Sequence, residues 1–462
     1  MPIIIFTIMA YLHKFFLVFC ISILFSCNTQ KKIVSGNNQK IEYVMCGNVT
    51  TDMATISIKA DKPGKCKINL IESLTGQIIK TKSLTIPDIP DFNIKENLTG
   101  LKPNTKYTYQ IYPESSSSML GGNFTTFSDT PFSYTFAFGS CMETGSNSDI
   151  FLKIKDENHL FFLQGGDLHY ENIDSNCTPR FNEAYRKTFS SPNQSSLYRS
   201  LPFVYMWDDH DFGPNNADSS NPCRNESVAA YHSHIPHYPF AFSDKEGPIS
   251  QSFSAGRVMF ILTDIRSQKI RPVYNECERL RTGTNFGSEA HLRWFLESML
   301  KAKNEGKIVA WVSSYSWVNA PGGPNYKCKE SDNWGGYPEE RQRIANFIKE
   351  HQIPVFILSG DAHMVAMDDG TNSDYAENGG ASVRVFHAAA LDRYGSYKGG
   401  PYSHGYSKEP GQYGVVEVID EGKENICFKW YGKSISGQKV NNTEGKEISM
   451  EFCLKIPNYK AP

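Results

Sequence analysis

The sequence predicts a small all-β sandwich followed by a larger α/β domain, and three observations carry that reading. From Ile41 to about Ser128, alternating strands such as Ala54-Thr-Ile-Ser-Ile-Lys59 are broken by turn clusters such as Asp61-Lys-Pro-Gly64, the pattern of antiparallel sheets. Beyond Pro131 apolar strands alternate with amphipathic stretches, for example Ser288 to Lys303 and Pro338 to His351, which argues for α/β architecture. Several of those strands then run from an apolar body into a polar tip, and the carboxyl ends of strands are where open α/β sheets build their sites. The 462 residues are too many for one ordinary core, so two folded parts and a targeting segment are expected.

Taken in order, residues 1–27 come first. Lys14 precedes an apolar run from Phe15 to Phe25 that closes in Leu24-Phe25-Ser26-Cys27. The run is about half the length needed to span a bilayer, and a small residue before a cysteine marks a lipoprotein cleavage site. Cys27 would then carry the lipid, with residues 28–40 as a polar tether. An uncleaved anchor extended by Ile3 to Ile8 is the alternative, and a start at Met9 gives the more compact signal. Either way the domain is expected to be tethered outside the cytoplasm, periplasmic or on the cell surface, and the Cys27 reading makes the tether a lipid anchor.

The segment 41–128 contains Leu98-Thr-Gly-Leu-Lys-Pro-Asn-Thr-Lys-Tyr-Thr-Tyr109, which resembles the tyrosine-corner region of fibronectin type III domains, with Tyr107 as the corner residue. The remainder, 133–462, is the expected α/β domain. Its net charge offers no lead: 47 basic residues face 49 acidic ones across the whole chain, so no field of one sign points to a nucleic-acid partner.

Four strand tips carry the chemistry. Tyr134-Thr-Phe-Ala-Phe-Gly-Ser-Cys141 supplies Cys141. Phe161-Phe-Leu-Gln-Gly-Gly-Asp167 supplies Asp167, with Tyr170 three residues on. Trp207-Asp-Asp-His-Asp211 supplies Asp208, Asp209, His210 and Asp211, and Ser359-Gly-Asp-Ala-His363 supplies Asp361 and His363. Singly, a Gly-Asp pair marks a turn and a lone cysteine marks packing. Together, acidic residues gathered after hydrophobic strands would repel one another severely unless cations sat among them.

In this order the motifs resemble the alkaline phosphatase D family of the calcineurin-like metallophosphoesterases over about residues 133 to 440, Trp207-Asp-Asp-His-Asp-Phe-Gly-Pro-Asn-Asn216 being the most specific and Asp264-Ile-Arg266 a further match. The resemblance implies a metallophosphoesterase domain of two β-sheets flanked by helices and a dinuclear site. Asp167 would bridge the metals. Cys141, Tyr170 and His363 would join it around a trivalent iron, Fe3+, suited to thiolate and phenolate donors. Asp209 and Asp361 would complete an all-oxygen site for Ca2+, with Mg2+, Mn2+ and Zn2+ as alternatives. The reaction implied is attack of a metal-held hydroxide on the phosphorus of a phosphate ester. His210 is the candidate to protonate the leaving oxygen or bind the phosphoryl group, with Asp211 orienting and charging it. Arg266 would neutralise the phosphate, a salt bridge to Asp264 being the alternative.

After Tyr170 the family often places a further acid, where Glu171-Asn172 stands here. His232, His234 and His237 lie in a Tyr- and Pro-rich stretch without acidic neighbours and are read as surface or packing residues rather than a separate metal site. Of eleven cysteines, Cys20 leaves with the signal, Cys27 is acylated and Cys141 is a ligand. The remaining eight allow four disulfides, Cys46 with Cys66 and Cys427 with Cys453 being the simplest pairs. The function expected is hydrolysis of phosphomonoesters, and of diesters as well, outside the cytoplasm. A dedicated phosphodiesterase and a non-catalytic surface binding protein are the alternatives.

Overall fold

The structure, a computed structural model, describes residues 38–242, 247–319, 329 and 332–459. The signal segment, Cys20, Cys27, Cys328 and nearly all of the expected tether lie outside the described residues. No helix among the described residues is long and apolar enough to cross a membrane.

The first part contains β1 (Ile41–Gly47), β2 (Met53–Ala60), β3 (Gly64–Glu72), β4 (Gln77–Ile86), β5 (Asn93–Thr99), β6 (Lys106–Pro113) and β7 (Leu120–Thr125). They form two antiparallel sheets, ordered β1-β2-β5 and β4-β3-β6-β7. In β6 Tyr107, Tyr109 and Ile111 turn inward and the residues between them are partly exposed, the two-residue period of a strand with one buried face. Tyr107 makes the corner bond expected of it, accepting from the backbone N–H of Lys102 at 2.9 Å.

β1 and β2 break that alternation, being buried on both faces, because their outer face packs on the second part. His234, fully buried, joins the two through its ring, 2.6 Å from the Tyr43 hydroxyl, and its carbonyl, which accepts from Ser57 Oγ at 2.8 Å. Tyr238 and Tyr109 donate across the same seam to the carbonyls of Val49 and Arg199, at 2.9 and 3.0 Å. His232 and His237 lean on Phe240, so all three histidines serve packing. A single apolar cluster runs through both parts, and residues 40–462 form one compact unit.

In the second part β8 (Tyr134–Gly139) leads through α1 (Ile150–Asp156) to β9 (Phe162–Gln164). Helices α2 (Cys177–Ser190) and α3 (Pro192–Ser200) precede β10 (Phe203–Tyr205), which is followed by α4 (Asp209–Phe212) and α5 (Arg224–His234). Then come β11 (Gln251–Ala255), β12 (Val258–Thr263), a small hairpin of β13 (Val273–Asn275) and β14 (Glu278–Arg281), α6 (Glu289–Asn304), β15 (Ile308–Ser313), α7 (Pro338–His351) and β16 (Val355–Ser359). β17 (Val365–Asp368), β18 (Arg384–His387), β19 (Tyr406–Ser407), β20 (Gln412–Ile419), β21 (Asn425–Ser434) and β22 (Ser449–Lys455) complete it. Among the described residues these strands form a six-stranded sheet, β10-β9-β8-β20-β21-β22, and a seven-stranded sheet, β11-β12-β15-β16-β18-β17-β19.

The two sheets meet through aromatic side chains. Phe136 of β8 meets Phe260 of β12 edge-on at 5.4 Å, and Phe386 of β18 stacks on Trp430 of β21 at 5.4 Å. Helices α6 and α7 cover the other face of the seven-stranded sheet with Phe295, Leu296, Ile344 and Ile348. Hence β12, β15 and β16 are buried along their whole length and read as continuous apolar runs.

Disulfides join Cys177 to Cys223 and Cys427 to Cys453, and Cys277 is also disulfide-bonded. The expected Cys46–Cys66 pair is corrected: both are free, buried thiols. They sit on opposite sheets of the sandwich, Cys46 opposite Ile56 and Cys66 opposite Leu84. Burial pushes both thiols up, Cys66 to about 11, so they behave as small hydrophobes.

Glu157, just past α1, ties this end of the domain to β20 and β21. Its carboxylate accepts from Tyr413 Oη at 2.8 Å and from Lys433, and lies 3.2 Å from His159 Nε2. Burial alone would raise its pKa, but these three partners hold it down to about 2. A folded-state value below the unfolded one, about 4.3, means stability that is present above pH 5 and lost as the pH falls toward 2. Glu157→Gln is therefore expected to cost about 1.5–3 kcal/mol at pH 7, and chemical denaturation at descending pH should show the gap to wild type closing between pH 5 and 2.

Candidate metal centre

β8, β9 and β10 are parallel neighbours, as are β12, β15, β16 and β18. Their carboxyl ends hold the residues named from the sequence. The tips press together so closely that only glycine fits between them. A Cβ on Gly166 would lie 2.5 Å from Asp208 Cβ, and one on Gly360 would lie 2.5 Å from the Gly165 carbonyl oxygen. The chain then turns sharply: Cys141, Asp167, Asp361 and His363 have φ of 59°, 55°, 65° and 46°. That left-handed region is unusual for residues with a side chain and costs of order 1–3 kcal/mol each, which surrounding contacts must sustain.

Asp167 lies at the centre. Its carboxylate groups with Cys141 Sγ and His363, with Asp209 and His210, and with Asp208, Asp209 and Asp361, ligand atoms in each set lying within 4.8 Å of one another. On the first side the Tyr170 hydroxyl donates to Asp167 Oδ2 at 2.6 Å and lies 2.8 Å from His363 Nε2. The Tyr394 carbonyl lies 2.7 Å from His363 Nδ1, which places the proton on Nδ1 and leaves Nε2 as an acceptor, the state a ligating histidine needs. Burial lowers the His363 pKa to about 4. Burial first, then Asp167, pushes the Cys141 thiol and the Tyr170 phenol far up.

On the second side Asp167, Asp208, Asp209 and Asp361 are all buried. Burial, and then their mutual repulsion, drives Asp167 well above the usual carboxylate range; Asp361 is driven up too, although Lys398 opposes it. Asp209 is also buried but is held low by Arg266, His210 and Lys398. Its Oδ2 accepts from the Asn216 N–H at 2.5 Å. Asp361 Oδ1 accepts from Lys398 Nζ at 2.6 Å, while Asp361 Oδ2 is buried without a partner.

The cluster therefore fits the dinuclear reading. Acceptors of both kinds converge on Asp167, one carboxylate oxygen is left unsatisfied inside it, and the ionised form of the cluster is held back by burial and like charge, which bound cations would relieve. Cys141, Asp167, Tyr170, Asp209, Asp361, His363 and His210 come together as the sequence suggested. Glu171 turns away to Lys187, 3.6 Å off.

Two assignments are corrected. Asp211 does not orient His210. Adjacent residues of a helix point in different directions, and Asp211 faces inward, accepting from the Asp208 and Leu168 amides at 2.7 and 2.9 Å and from the Tyr205 hydroxyl. Asn172 takes that place: its Nδ2 donates to the Tyr170 carbonyl, which turns Oδ1 toward His210 Nδ1 at 2.6 Å. Arg266 does not face an incoming phosphate. It is fully buried, with Nε and Nη2 donating to Asp208 at 2.6 and 2.8 Å and Nη1 to Asp332 at 2.7 Å. Asp264, its other suggested partner, meets only the Arg266 backbone N–H, at 3.1 Å, and accepts as well from Trp207 Nε1 and the Ile249 amide at 2.9 and 3.0 Å.

Sequence reasoning missed Asn172, Asp208 as the Arg266 anchor, Asp332 and Lys398. Only Asp208 had a signal, its place in the acidic run. Removing the positive charge of Arg266 strands Asp208 and Asp332. Arg266→Leu is expected to cost the metal-free protein about 3–5 kcal/mol in urea unfolding, and Arg266→Lys to recover only part because lysine lacks the bidentate fork.

Comparisons with known proteins place the chain in a family. The family model for PhoD-like phosphatases matches residues 138–409. Alkaline phosphatase D of Bacillus subtilis (strain 168) is 26% identical over 308 residues, 57% of this chain and 52% of that protein. The chain thus spans about half the length of that curated relative. The solved structure of PhoD superposes with a TM-score of 0.63 at 16% identity, over 87% of this chain and 92% of that one, so the two share a fold. The chain belongs to the PhoD-like phosphatase family.

Proposed function

We propose that this protein is an exported, metal-dependent phosphoric ester hydrolase that acts on phosphomonoesters, and on diesters as well. The observation that carries the reading is Asp167, whose carboxylate is shared by a Cys/Tyr/His set on one side and an all-aspartate set on the other. Family membership supports it. In this reading Cys141, Asp167, Tyr170 and His363 hold Fe3+, and Asp167, Asp209 and Asp361 hold Ca2+, with Mg2+, Mn2+ or Zn2+ as alternatives. When bound, the metals supply charge that activates water and stabilises developing oxyanions.

The chain's own residues set the geometry. The His363 tautomer is fixed by the Tyr394 carbonyl. Burial and the neighbouring Asp167 keep Tyr170 protonated unless a strong cation displaces the proton, which is the reason for assigning trivalent iron to that side. The His210 ring lies 4.2 Å from Tyr170 and is held through Nδ1 by Asn172. That leaves Nε2 for the phosphoryl or leaving-group oxygen.

The domains proposed are a β-sandwich over 41–128 and a phosphatase domain over 133–462. The disulfides Cys177–Cys223 and Cys427–Cys453 support an oxidising compartment, as export through residues 1–27 and a lipid on Cys27 would require.

Elemental analysis of the chain from residue 28 onward is expected to find about one iron per chain, and a chelator should abolish hydrolysis of chromogenic phosphomonoesters and diesters. Absence of tightly held metal together with absence of turnover would sink the reading; the ratio of the two rates decides which ester is preferred. His210→Ala should lower kcat by about 10²–10⁴-fold, and Asn172→Ala by a smaller factor because the ring remains. Equal activity in His210→Ala and wild type would remove His210 from the chemistry.

A further inference from the structure

The metals of the reading above would meet part of the negative charge of a phosphate, and a side-chain cation would add to them on the non-bridging oxygens. Arg266 is engaged by Asp208 and Asp332. Among the described residues, four Arg and Lys side chains lie around the carboxylates. Arg266 and Lys269 are fully buried. Arg393 stands over the Tyr170 ring, 3.9 Å from its centroid, and pairs with Glu143. Lys398 differs from all three: it touches the cluster and reaches solvent, its side chain being 37% exposed.

Lys398 Nζ lies 2.6 Å from Asp361 Oδ1 and 3.3 Å from Asp332 Oδ2. An ammonium group has three N–H donors, so two are engaged and one remains. Asp361 is correspondingly divided, with Oδ1 on Lys398 and Oδ2 buried and unpartnered. The lysine thus leaves one Asp361 oxygen open to a cation. Its loop is anchored at the same centre, since the Tyr394 carbonyl holds His363 and Ser396 Oγ donates to the Ala362 carbonyl at 3.0 Å.

We propose that Lys398 is the phosphate-binding residue of this site. It keeps its bond to Asp361 Oδ1 and gives its remaining N–H to a non-bridging oxygen of the ester, and equally to the inorganic phosphate that is released. The inference rests on the hydrolase reading of the preceding section. It assigns to a lysine in the loop after β18 the task that the sequence suggested for Arg266.

The test uses the metal-loaded protein and inorganic phosphate as probe. Lys398→Gln and Lys398→Arg are compared with wild type by metal content, by calorimetric titration with phosphate and by KM and kcat on a chromogenic monoester. Loss of a charge-assisted hydrogen bond predicts that Lys398→Gln binds phosphate about 10- to 100-fold more weakly. Metal content should be unchanged and affinity partly restored in Lys398→Arg. Phosphate affinity within twofold of wild type in Lys398→Gln would overturn the proposal. So would loss of metal from Lys398→Gln sufficient to explain the weaker binding, because Lys398 would then only position Asp361. Failure of the hydrolase reading would show in the wild type itself, as no turnover and no phosphate binding before any substitution is made.

Discussion

Four aspartates with carboxylate oxygens within 4.8 Å of one another, all buried, are the constraint around which this end of the molecule is arranged. Such a cluster cannot be held by packing, since burial and like charge both oppose its ionised form. The chain meets part of the charge with side chains of its own. Arg266 binds Asp208 and Asp332, Lys398 binds Asp361 and Asp332, and Asp209 leans on the Asn216 amide. Asp167 receives only the Tyr170 hydroxyl and, at 3.3 Å, the His210 amide. The fixed cations thus neutralise the periphery and leave Asp167, at the centre, without one.

The same constraint explains the backbone. Bringing tips from two sheets within reach of one carboxylate requires strands to stop abruptly and turn through left-handed residues. Glycine stands where the tips would collide, at Gly166 and Gly360. The rigidity that sustains those turns comes from strands buried on both faces and from the aromatic interior between the sheets. The sandwich contributes by sharing that interior, with Tyr43, Ser57 and Val49 bonded to the second part.

Much of this was legible in the residues. Strand tips ending in Gly-Asp, with a Cys, a Tyr and a His at fixed offsets, announce a metal centre because few other environments tolerate so many acids after apolar strands. The change of period beyond Pro131 announces the second architecture, and the segment 98–109 announces the corner at Tyr107. What escaped depends on direction in space. Asp211 and His210 are neighbours in sequence and therefore diverge in the helix. Arg266 sits in a matching motif, but which carboxylate it meets is decided by strands 58 residues away in the chain. Lys398 and Asn172 lie in loops whose composition is ordinary, and their importance exists only once the loops close over the tips. The Cys46–Cys66 pairing failed for a related reason: nearness in sequence said nothing about the sheet to which each belongs.

The distinction between Arg266 and Lys398 follows from their side chains. A guanidinium presents a rigid fork that satisfies a carboxylate with two parallel bonds, and once engaged by Asp208 and Asp332 it has no orientation left to offer. An ammonium is a compact point charge with donors that rotate, so it can hold Asp361 and Asp332 and still meet a third anion. Interior neutralisation calls for the first and a site that must bind and release an anion calls for the second. The burial of the two agrees with that division, Arg266 being sealed inside the domain and Lys398 reaching solvent beside the carboxylate it holds.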